Sequence, residues 1–270
     1  MKVYISVDME GSSGIVDWGQ VTDGDREYER GRKLMTADAN AAVEGALAGG
    51  ASQVLVADSH GSKMNLLIED LHPAAELIRG RVKPFPMMQG INEECDVALF
   101  VAYHARAGSL HAVLNHTWQL SVLDVTLNGK PVGELGINAA LAAHFGVPVA
   151  LVTGDQAVVN EARDLLGDIE TVVVKSAYGM NAARCVPPSK AVGMIREAAQ
   201  RAVRHGLRRF ELTTPVTLRV SFHQSMEAEM AEGMPGTRRV DGRTVEFVAS
   251  DMLEAHGAFR SLVRLANTAK

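Results

Sequence analysis

The sequence has few of the features that mark secreted, membrane-spanning or disulfide-bonded proteins. Only two of its 270 residues are cysteines, and Cys95 and Cys185 lie far apart, outside any Cys-x-x-Cys spacing. This pattern favours free thiols in a reducing compartment over a disulfide or a thiolate metal site. No apolar run approaches the ~20 residues that cross a bilayer, and the N-terminus lacks the pattern of a signal peptide. We therefore expect a cytoplasmic protein that does not enter a membrane.

Positive charge is also scarce, and the glycine-rich motifs of nucleotide chemistry are missing. Lysine and arginine number 27 against 32 aspartates and glutamates, which gives a net charge of −5. Nucleic acid and anionic membrane surfaces both require a basic face, so neither is expected as the main partner. There is no P-loop, no Gly-x-Ser-x-Gly elbow and no Gly-x-Gly-x-x-Gly after the first strand. The last absence argues against a dinucleotide-binding domain.

What the sequence contains instead is a regular alternation of strand-like and helix-like segments. Apolar residues make up 47% and charged residues 22%, as in an ordinary globular protein. Strands are predicted at 2–8, 53–58, 96–103, 147–153 and 169–175, and a hairpin at 120–132 with its turn at 128–129. Helices are predicted at 36–49, 67–79 (broken by Pro73), 134–145, 155–166 and 189–206. The alternation predicts an α/β fold, with a mostly parallel or mixed sheet and helices on both faces.

The C-terminal part follows a different pattern. Alternating strands are predicted at 216–222 and 244–249, with helices near 225–233 and 251–268. We expect a smaller α+β lobe at 209–270 after a larger α/β domain at 1–208. No linker rich in proline, glycine or serine marks the boundary between them.

Polar residues follow the apolar runs at four places in the 1–208 domain. The clusters are Asp8-x-Glu10, Asp58-x-His60, His104-x-Arg106 and Gly133-Glu134. In an open α/β sheet, ligands bind outside the carboxyl ends of the strands. Carboxylates and imidazoles gathered there suit a hard or borderline divalent cation. The sequence therefore predicts a metal site in this domain.

Asp8 and Glu10 are the strongest candidates for this site. Their spacing at a strand end puts both side chains on one face, where two carboxylates repel each other unless they share a cation or a proton. One carboxylate can span the ~3.5–4 Å between two metal ions, so we expect Asp8 to bridge two metals and Glu10 to bind one. The alternative is a pair of solvated acids, which the buried strand leading into them disfavours.

Each of the other candidates has a structural alternative. The strand-end position and the Asp-x-His context favour His60 as a ligand, whereas Asp58 is expected to orient His60 or to cap the following chain. His104 is either a ligand or a buried imidazole bonded to a carbonyl. Glu134 is also explained by the helix dipole, which favours acids in a first turn. Arg106 is expected to hold a substrate group or to form a structural ion pair.

A further histidine is a candidate for proton transfer. A histidine beside a metal-activated water is a natural acid–base group, because its ordinary pKa is close to neutrality. His116, in the segment Asn-His-Thr, is the first choice and His111 is the alternative; either is also compatible with a loop histidine. The remaining histidines are interpreted as structural: His72, His144, His205, His223 and His256.

Most of these residues lie in segments that resemble one family. The segments are SVDMEG (6–11), YERGRKLMT (28–36), VADSHGSKMN (56–65), LHPAAELIRG (71–80), VKPFPMM (82–88), YHARA (103–107), NHT (115–117), PVGELGINA (131–139) and MPGT (234–237). They resemble the DppA-type zinc D-aminopeptidases, a dipeptide-transport-associated family of metallopeptidases. The resemblance extends from residue 1 to about residue 260.

The resemblance implies a zinc site and a catalytic residue. It implies two zinc ions per subunit and, as their ligands, Asp8 (shared), Glu10, His60, His104 and Glu134. It also implies His116 as the catalytic histidine, acting as base, acid or nucleophile. The preceding segment AGSLHAVLNHT carries one extra residue relative to the family pattern, which leaves His111 as the alternative. The Asn and Thr neighbours favour His116.

The resemblance implies an activity and an assembly as well. The activity is release of N-terminal D-amino acids such as D-Ala from short peptides. The assembly is a large homo-oligomer, a decamer-like ring or double ring that encloses the active sites. The residues themselves leave two other functions open: a binuclear metal amidase or phosphoester hydrolase of other specificity, and a peptide-binding oligomer with a vestigial site. The complete set of candidate ligands argues against the second.

Overall fold

The computed structural model describes residues 1–204 and 210–269 as an alternation of strands and helices. The strands are Lys2–Val7 (β1), Gln53–Asp58 (β2), Ala75–Ile78 (β3), Val97–Tyr103 (β4), Val122–Leu127 (β5), Lys130–Pro131 (β6), Val149–Asp155 (β7), Glu170–Gly179 (β8), Ala182–Cys185 (β9), Val216–Phe222 (β10), Thr237–Arg239 (β11) and Thr244–Ala249 (β12). The helices are Tyr28–Gly49 (α1), Glu134–His144 (α2), Gln156–Leu166 (α3), Pro188–Arg204 (α4), Ser225–Glu232 (α5) and Met252–Ala266 (α6). No helix in these ranges is apolar over a length that would cross a membrane.

A seven-stranded sheet, in the order β3-β2-β1-β4-β7-β8-β9, forms the centre of the larger part. Its strands run parallel except for β9, which pairs antiparallel with β8. Successive residues of a strand face opposite sides, so Val3 and Ile5 join the core formed with α1 and α4. Tyr4 joins the core on the other face, formed with α2 and α6. This sheet, apolar on both faces, confirms the predicted α/β class with helices on both sides.

A second sheet has five strands in the order β11-β12-β10-β5-β6, all paired antiparallel. Helices α5 and α6 pack against it, which confirms the predicted smaller α+β part. The predicted hairpin supplies β5 and β6. Its turn residues Asn128 and Gly129 have φ angles of 50° and 78°, as a two-residue type I′ turn requires.

The predicted domain boundary between 208 and 209 lies outside the described residues, as do His205 and the predicted end of a helix at 206. The boundary therefore stays a prediction. The second sheet nevertheless takes strands from both sides of it, because β5 and β6 precede the boundary and β10 to β12 follow it.

One predicted element is wrong and another begins elsewhere. Residues 67–79 are not helical: a short 3-10 turn at Ile68–Asp70 leads into β3, which pairs with β2. Pro73 cannot continue a helix, and the residues after it pair along the sheet instead.

Helix α1 begins at Tyr28, eight residues before the predicted start at residue 36. The sequence pattern misses these first turns because they are rich in charged residues, which hide the apolar period. The short strands β9 and β11 were not predicted, since each offers only three or four residues of pattern.

His256 in α6 is a buried histidine with an unusual environment. Its side chain is 1% exposed, and among the described residues its Nε2 has no hydrogen-bond partner. Burial, assisted by the positive charge of Arg260, lowers the pKa of His256 from 6.5 to about 4. The native protein therefore keeps this imidazole neutral under conditions in which the unfolded chain protonates it.

This difference predicts a loss of stability in acid. Between pH 6.5 and pH 4 the unfolded state binds a proton at His256 that the native state does not, so the free energy of unfolding falls as the pH falls. Urea unfolding at pH 7 and pH 4 should show a decrease that is about 3 kcal/mol larger for the parent protein than for His256→Gln. Equal decreases in the two proteins would contradict the assignment.

Candidate metal centre

The predicted site residues meet at the carboxyl edge of the central sheet. Asp8 directly follows β1, His60 lies two residues after β2 and His104 directly follows β4. These three strands are neighbours in the order β2-β1-β4, so their ends lie side by side. Glu10 lies in the turn after β1, and Glu134 is the first residue of α2. Residues distant in sequence are thus brought to one point by the parallel strand order.

Three overlapping groups of side chains form at this point, and Asp8 belongs to two of them. In one group His60 Nδ1 lies 3.0 Å from Glu10 Oε2 and 3.4 Å from Asp8 Oδ1. In the other, His104 Nε2 lies 3.5 Å from Asp8 Oδ2 and 3.4 Å from Glu134 Oε1. Within each group the nearest side-chain atoms all lie within 4.8 Å of one another. The two oxygens of Asp8 therefore face different groups.

The acids of the site are almost completely removed from solvent. Asp8 and Glu10 are each 2% exposed, and Glu134 is 6% exposed. Among the described residues, Asp8 Oδ2 and Glu10 Oε2 have no hydrogen-bond partner. Burying a carboxylate oxygen without a partner costs several kcal/mol, roughly, unless a positive charge balances it. The site therefore has the character of a cation-binding centre.

Neighbouring imidazoles balance part of this charge. Burial acts to lower the pKa of His104, but Glu134 and Asp8 overcome burial and raise it well above its ordinary value. Burial acts to raise the pKa of Glu134, whereas His104 and the N–H of Trp118 bring it down to about 2. The pKa of His60 is raised by acidic neighbours in the same way, against burial. In the absence of metal, the protonated imidazoles balance the charge of the carboxylates. Metal binding releases such protons, because the metal ions then balance the carboxylates.

Backbone carbonyls orient both imidazoles toward the acids. His60 donates from Nε2 to the carbonyl of Val21 at 2.7 Å, which leaves Nδ1 facing Asp8 and Glu10. His104 donates from Nδ1 to the carbonyl of Ala105 at 3.0 Å, which leaves Nε2 facing the centre. Histidines that bind metals usually donate their other N–H in this manner.

His116 lies beside these two groups and forms the third group with Glu10 and His104. Its Nε2 is 3.7 Å from Glu134 Oε1 and 4.0 Å from Glu10 Oε1, while its Nδ1 donates to the carbonyl of Leu114. Its ring stacks on that of His104 with 4.0 Å between centroids. His111, by contrast, is exposed and belongs to neither acidic group in the described part of the chain.

The two ambiguous polar residues have structural contacts. Asp58 accepts hydrogen bonds from the backbone N–H groups of Asn65 and Leu66 at 2.6 and 2.8 Å, so it holds the chain that follows β2. Arg106 pairs with Asp124 at 3.2 Å, the ion-pair alternative. Neither side chain belongs to the two groups around Asp8.

Lys175 is a positioning residue that the sequence analysis missed. Its buried Nζ, from β8, donates to the carbonyls of Glu10, Ser12 at 2.8 Å and Ile15 at 2.6 Å. Burial lowers the pKa of Lys175 to about 8. The only available signal was a lysine at the end of the apolar run of the predicted strand at 169–175. This contact holds the loop that carries Glu10 against the sheet.

The site opens into one large cavity of about 1280 Å³. The two acidic groups and His116 form part of its wall, together with Trp18 and Trp118. The loop at 80–87 and the end of α6 complete the wall. A cavity of this size accommodates a short peptide.

Comparison with known proteins decides the family. A family model described as D-aminopeptidase (peptidase M55) matches residues 1–261. The chain belongs to this D-aminopeptidase family. It is 42% identical to the D-aminopeptidase of Bacillus subtilis (strain 168) over 269 residues, which cover 98% of each chain. This membership confirms the predicted family and its peptidase activity, and it does not favour the phosphoester hydrolase or the vestigial binding protein.

A solved structure supports the same relationship. The protein superimposes with a TM-score of 0.96 on the Zn-dependent D-aminopeptidase DppA from Bacillus subtilis, described as a self-compartmentalizing protease. The two chains are 40% identical, and the match covers 99% of this chain and 98% of the other. The fold described above is therefore that of the D-aminopeptidase family.

A close backbone approach makes the metal centre sensitive to one glycine. Gly11 donates its N–H to the carbonyl of Ala102 at 2.8 Å, and a Cβ at Gly11 would lie 2.1 Å from the carbonyl oxygen of Tyr103. Gly11→Ala must therefore push the loop of Asp8 and Glu10 away from the end of β4. We expect the free energy of unfolding to fall by about 1–3 kcal/mol, together with weaker metal binding.

Gly193→Ala in α4 is the matched control. Nothing lies within 4 Å of a Cβ at this position. Alanine there should leave metal content unchanged and add up to about 1 kcal/mol of stability. Denaturant unfolding and elemental analysis of both variants test the difference; identical results for Gly11→Ala and Gly193→Ala would contradict it.

Proposed function

We propose that this protein is a zinc-dependent aminopeptidase that releases N-terminal D-amino acids, such as D-Ala, from short peptides, with two zinc ions in each subunit. The observation that carries the proposal is the sharing of Asp8 between two groups of three side chains. Each group offers three oxygen and nitrogen ligands and leaves one position open, the composition of catalytic zinc sites. The family and its zinc-dependent relative support the same activity.

The proposed ligands fit the metal. Asp8, Glu10 and His60 bind one ion, and Asp8, His104 and Glu134 bind the other. Among the described residues, the buried oxygens Asp8 Oδ2 and Glu10 Oε2 accept no hydrogen bond although an imidazole nitrogen faces each of them, which points to cations as their missing partners. When bound, zinc supplies a water of lowered pKa and polarises the scissile carbonyl.

His116 is the proposed acid–base residue. The bond from its Nδ1 to the carbonyl of Leu114 fixes the ring, so that Nε2 faces the acids and is available for a proton. Stacking on His104 and an edge contact with Trp18, 5.4 Å between centroids, restrict its rotation further. From this position Nε2 accepts a proton from the attacking water and returns it to the leaving amine.

The proposed assembly is a large homo-oligomer, a decamer-like ring that encloses the active sites. The Bacillus relative is described as self-compartmentalizing. Large apolar side chains on the surface, such as Leu110 at 85% and Tyr178 at 77% exposure, suit subunit contacts. A cytoplasmic location also belongs to the proposal, and it is supported by two cysteines that are free thiols.

Peptide hydrolysis with and without a chelator tests the proposed function. The purified protein should release D-Ala from D-Ala-D-Ala and act far more slowly on L-Ala-L-Ala. A chelator should abolish the activity, and added zinc should restore it, because the metal lowers the pKa of the attacking water and polarises the carbonyl. Hydrolysis that survives chelation, or a preference for the L-peptide, would overturn the proposal.

Replacement of His116 tests its role separately from metal binding. His116→Ala should retain two zinc ions per chain and lose about 10²–10⁴-fold in kcat, the usual contribution of a positioned acid–base group. His111→Ala is the matched control and should keep the parent rate, since His111 lies outside both acidic groups. A full rate in His116→Ala with both zinc ions bound would rule the role out.

A further inference from the structure

The wall of the large cavity carries more positive charge than the proposed chemistry uses. Five basic side chains line it: Lys63, Arg81, Lys83, Arg260 and Arg264. Four acids line it as well, and three of these belong to the metal centre: Asp8, Glu10 and Glu134, with Asp23 as the fourth. Beyond the metal centre the cavity is therefore predominantly basic, which points to an anionic part of whatever it binds.

Lys83 is the most unusual of these basic residues. Its Nζ is buried, and within residues 1–204 and 210–269 it has no hydrogen-bond partner. Burial and, after it, the positive charge of Lys63 together lower the pKa of Lys83 to about 8. A buried ammonium group without a partner costs stability unless an anion pairs with it. Such an arrangement is typical of a site that a ligand completes.

Lys63 connects this position to the metal centre. Its backbone N–H donates to the carbonyl of His60 at 2.7 Å, so it lies one turn from a proposed ligand. Its Nζ donates to the carbonyl of Ser59, the residue before His60. Lys63 and Lys83 both line the cavity that opens from the metal centre.

The backbone fixes the two lysines relative to each other. They follow β2 and β3, which are neighbouring parallel strands, and both loops lie at the carboxyl edge of the sheet. Gly80 donates its N–H to the carbonyl of Lys63 at 2.6 Å, which ties the two loops together. Arg260 of α6 donates to the carbonyl of Pro84, the residue after Lys83. These two contacts tie the loop of Lys83 to the loop of Lys63 and to α6.

From this geometry we propose that Lys63 and Lys83 form an anion subsite that binds the C-terminal carboxylate of a di- or tripeptide substrate. This inference rests on the proposed peptidase function, in which the substrate's N-terminal residue lies at the metal centre. The C-terminal carboxylate is the one negative charge that every short peptide carries at neutral pH. Each residue spans at most ~3.6 Å, so only a short peptide that is bound at the metal centre places its carboxylate beside Lys63, whose backbone N–H is bonded to the carbonyl of His60.

The subsite defines the substrate class. The two ammonium groups pair with a carboxylate, so they favour peptides with a free C-terminus. A C-terminal amide is neutral, and amidated peptides of the same length should therefore bind more weakly. The enzyme then recognises both the N-terminal residue and the C-terminal carboxylate of its substrate. Such an enzyme hydrolyses di- and tripeptides in preference to the N-termini of long chains. Charge-assisted hydrogen bonds of this kind change affinity by about 10-fold or more.

Steady-state kinetics of the zinc-loaded enzyme test the subsite. The KM of D-Ala-D-Ala should be about 10-fold or more below that of D-Ala-D-Ala amide. In Lys83→Met the ratio of the two KM values should approach one, and in Lys83→Arg, which keeps the charge, the preference should persist. Lys190→Met, at an exposed position outside the cavity, is the matched control and should keep the parent ratio.

Calorimetry with a peptide that an aminopeptidase cannot cleave gives a readout independent of activity. N-acetyl-D-Ala-D-Ala should bind the parent protein about 10-fold or more tightly than its C-terminal amide, and Lys83→Met should bind both alike. If neither dipeptide is hydrolysed but the acetylated pair is still distinguished, the proposed function fails and the subsite stands. Equal KM values for acid and amide, with equal binding of the acetylated pair, would overturn the subsite.

Discussion

The mutual repulsion of three buried carboxylates is the constraint on which the rest of the site depends. Asp8, Glu10 and Glu134 converge at the edge of the sheet with almost no access to water. Such an arrangement is stable only when positive charge is shared among the three groups. In this structure two imidazoles share it, and the two-sided position of Asp8 divides the acids into two groups, each of which contains one imidazole. In the proposed function, two metal ions take the place of the imidazole protons and balance the three carboxylates.

The fold supplies the convergence and the loops supply the orientation. Parallel strands β2, β1 and β4 bring their carboxyl ends together, which no local sequence pattern could do alone. Lys175 then holds the loop after β1 through three carbonyls, and the carbonyls of Val21 and Ala105 fix the rings of His60 and His104. The proposed ligands are thus held in place by backbone contacts rather than by other flexible side chains.

Much of this arrangement is visible in the sequence, and the missing parts have physical reasons. Long apolar runs predict β1, β2 and β4, and polar residues at their ends predict the site, because burial and strand polarity are local signals. The strand β3 is hidden by Pro73 and by its short length, since its pairing with β2 is a tertiary property. Lys83 carries no sequence signal and Lys175 carries only its position at the end of an apolar run, because their environments are created by other parts of the chain.

Anomalous scattering from crystals at the zinc absorption edge tests the central claim most directly. The account predicts two peaks in each subunit, about 3.5–4 Å apart, one between Asp8 and His60 and the other between Asp8 and His104. A single peak, or a pair of peaks away from Asp8, would contradict it.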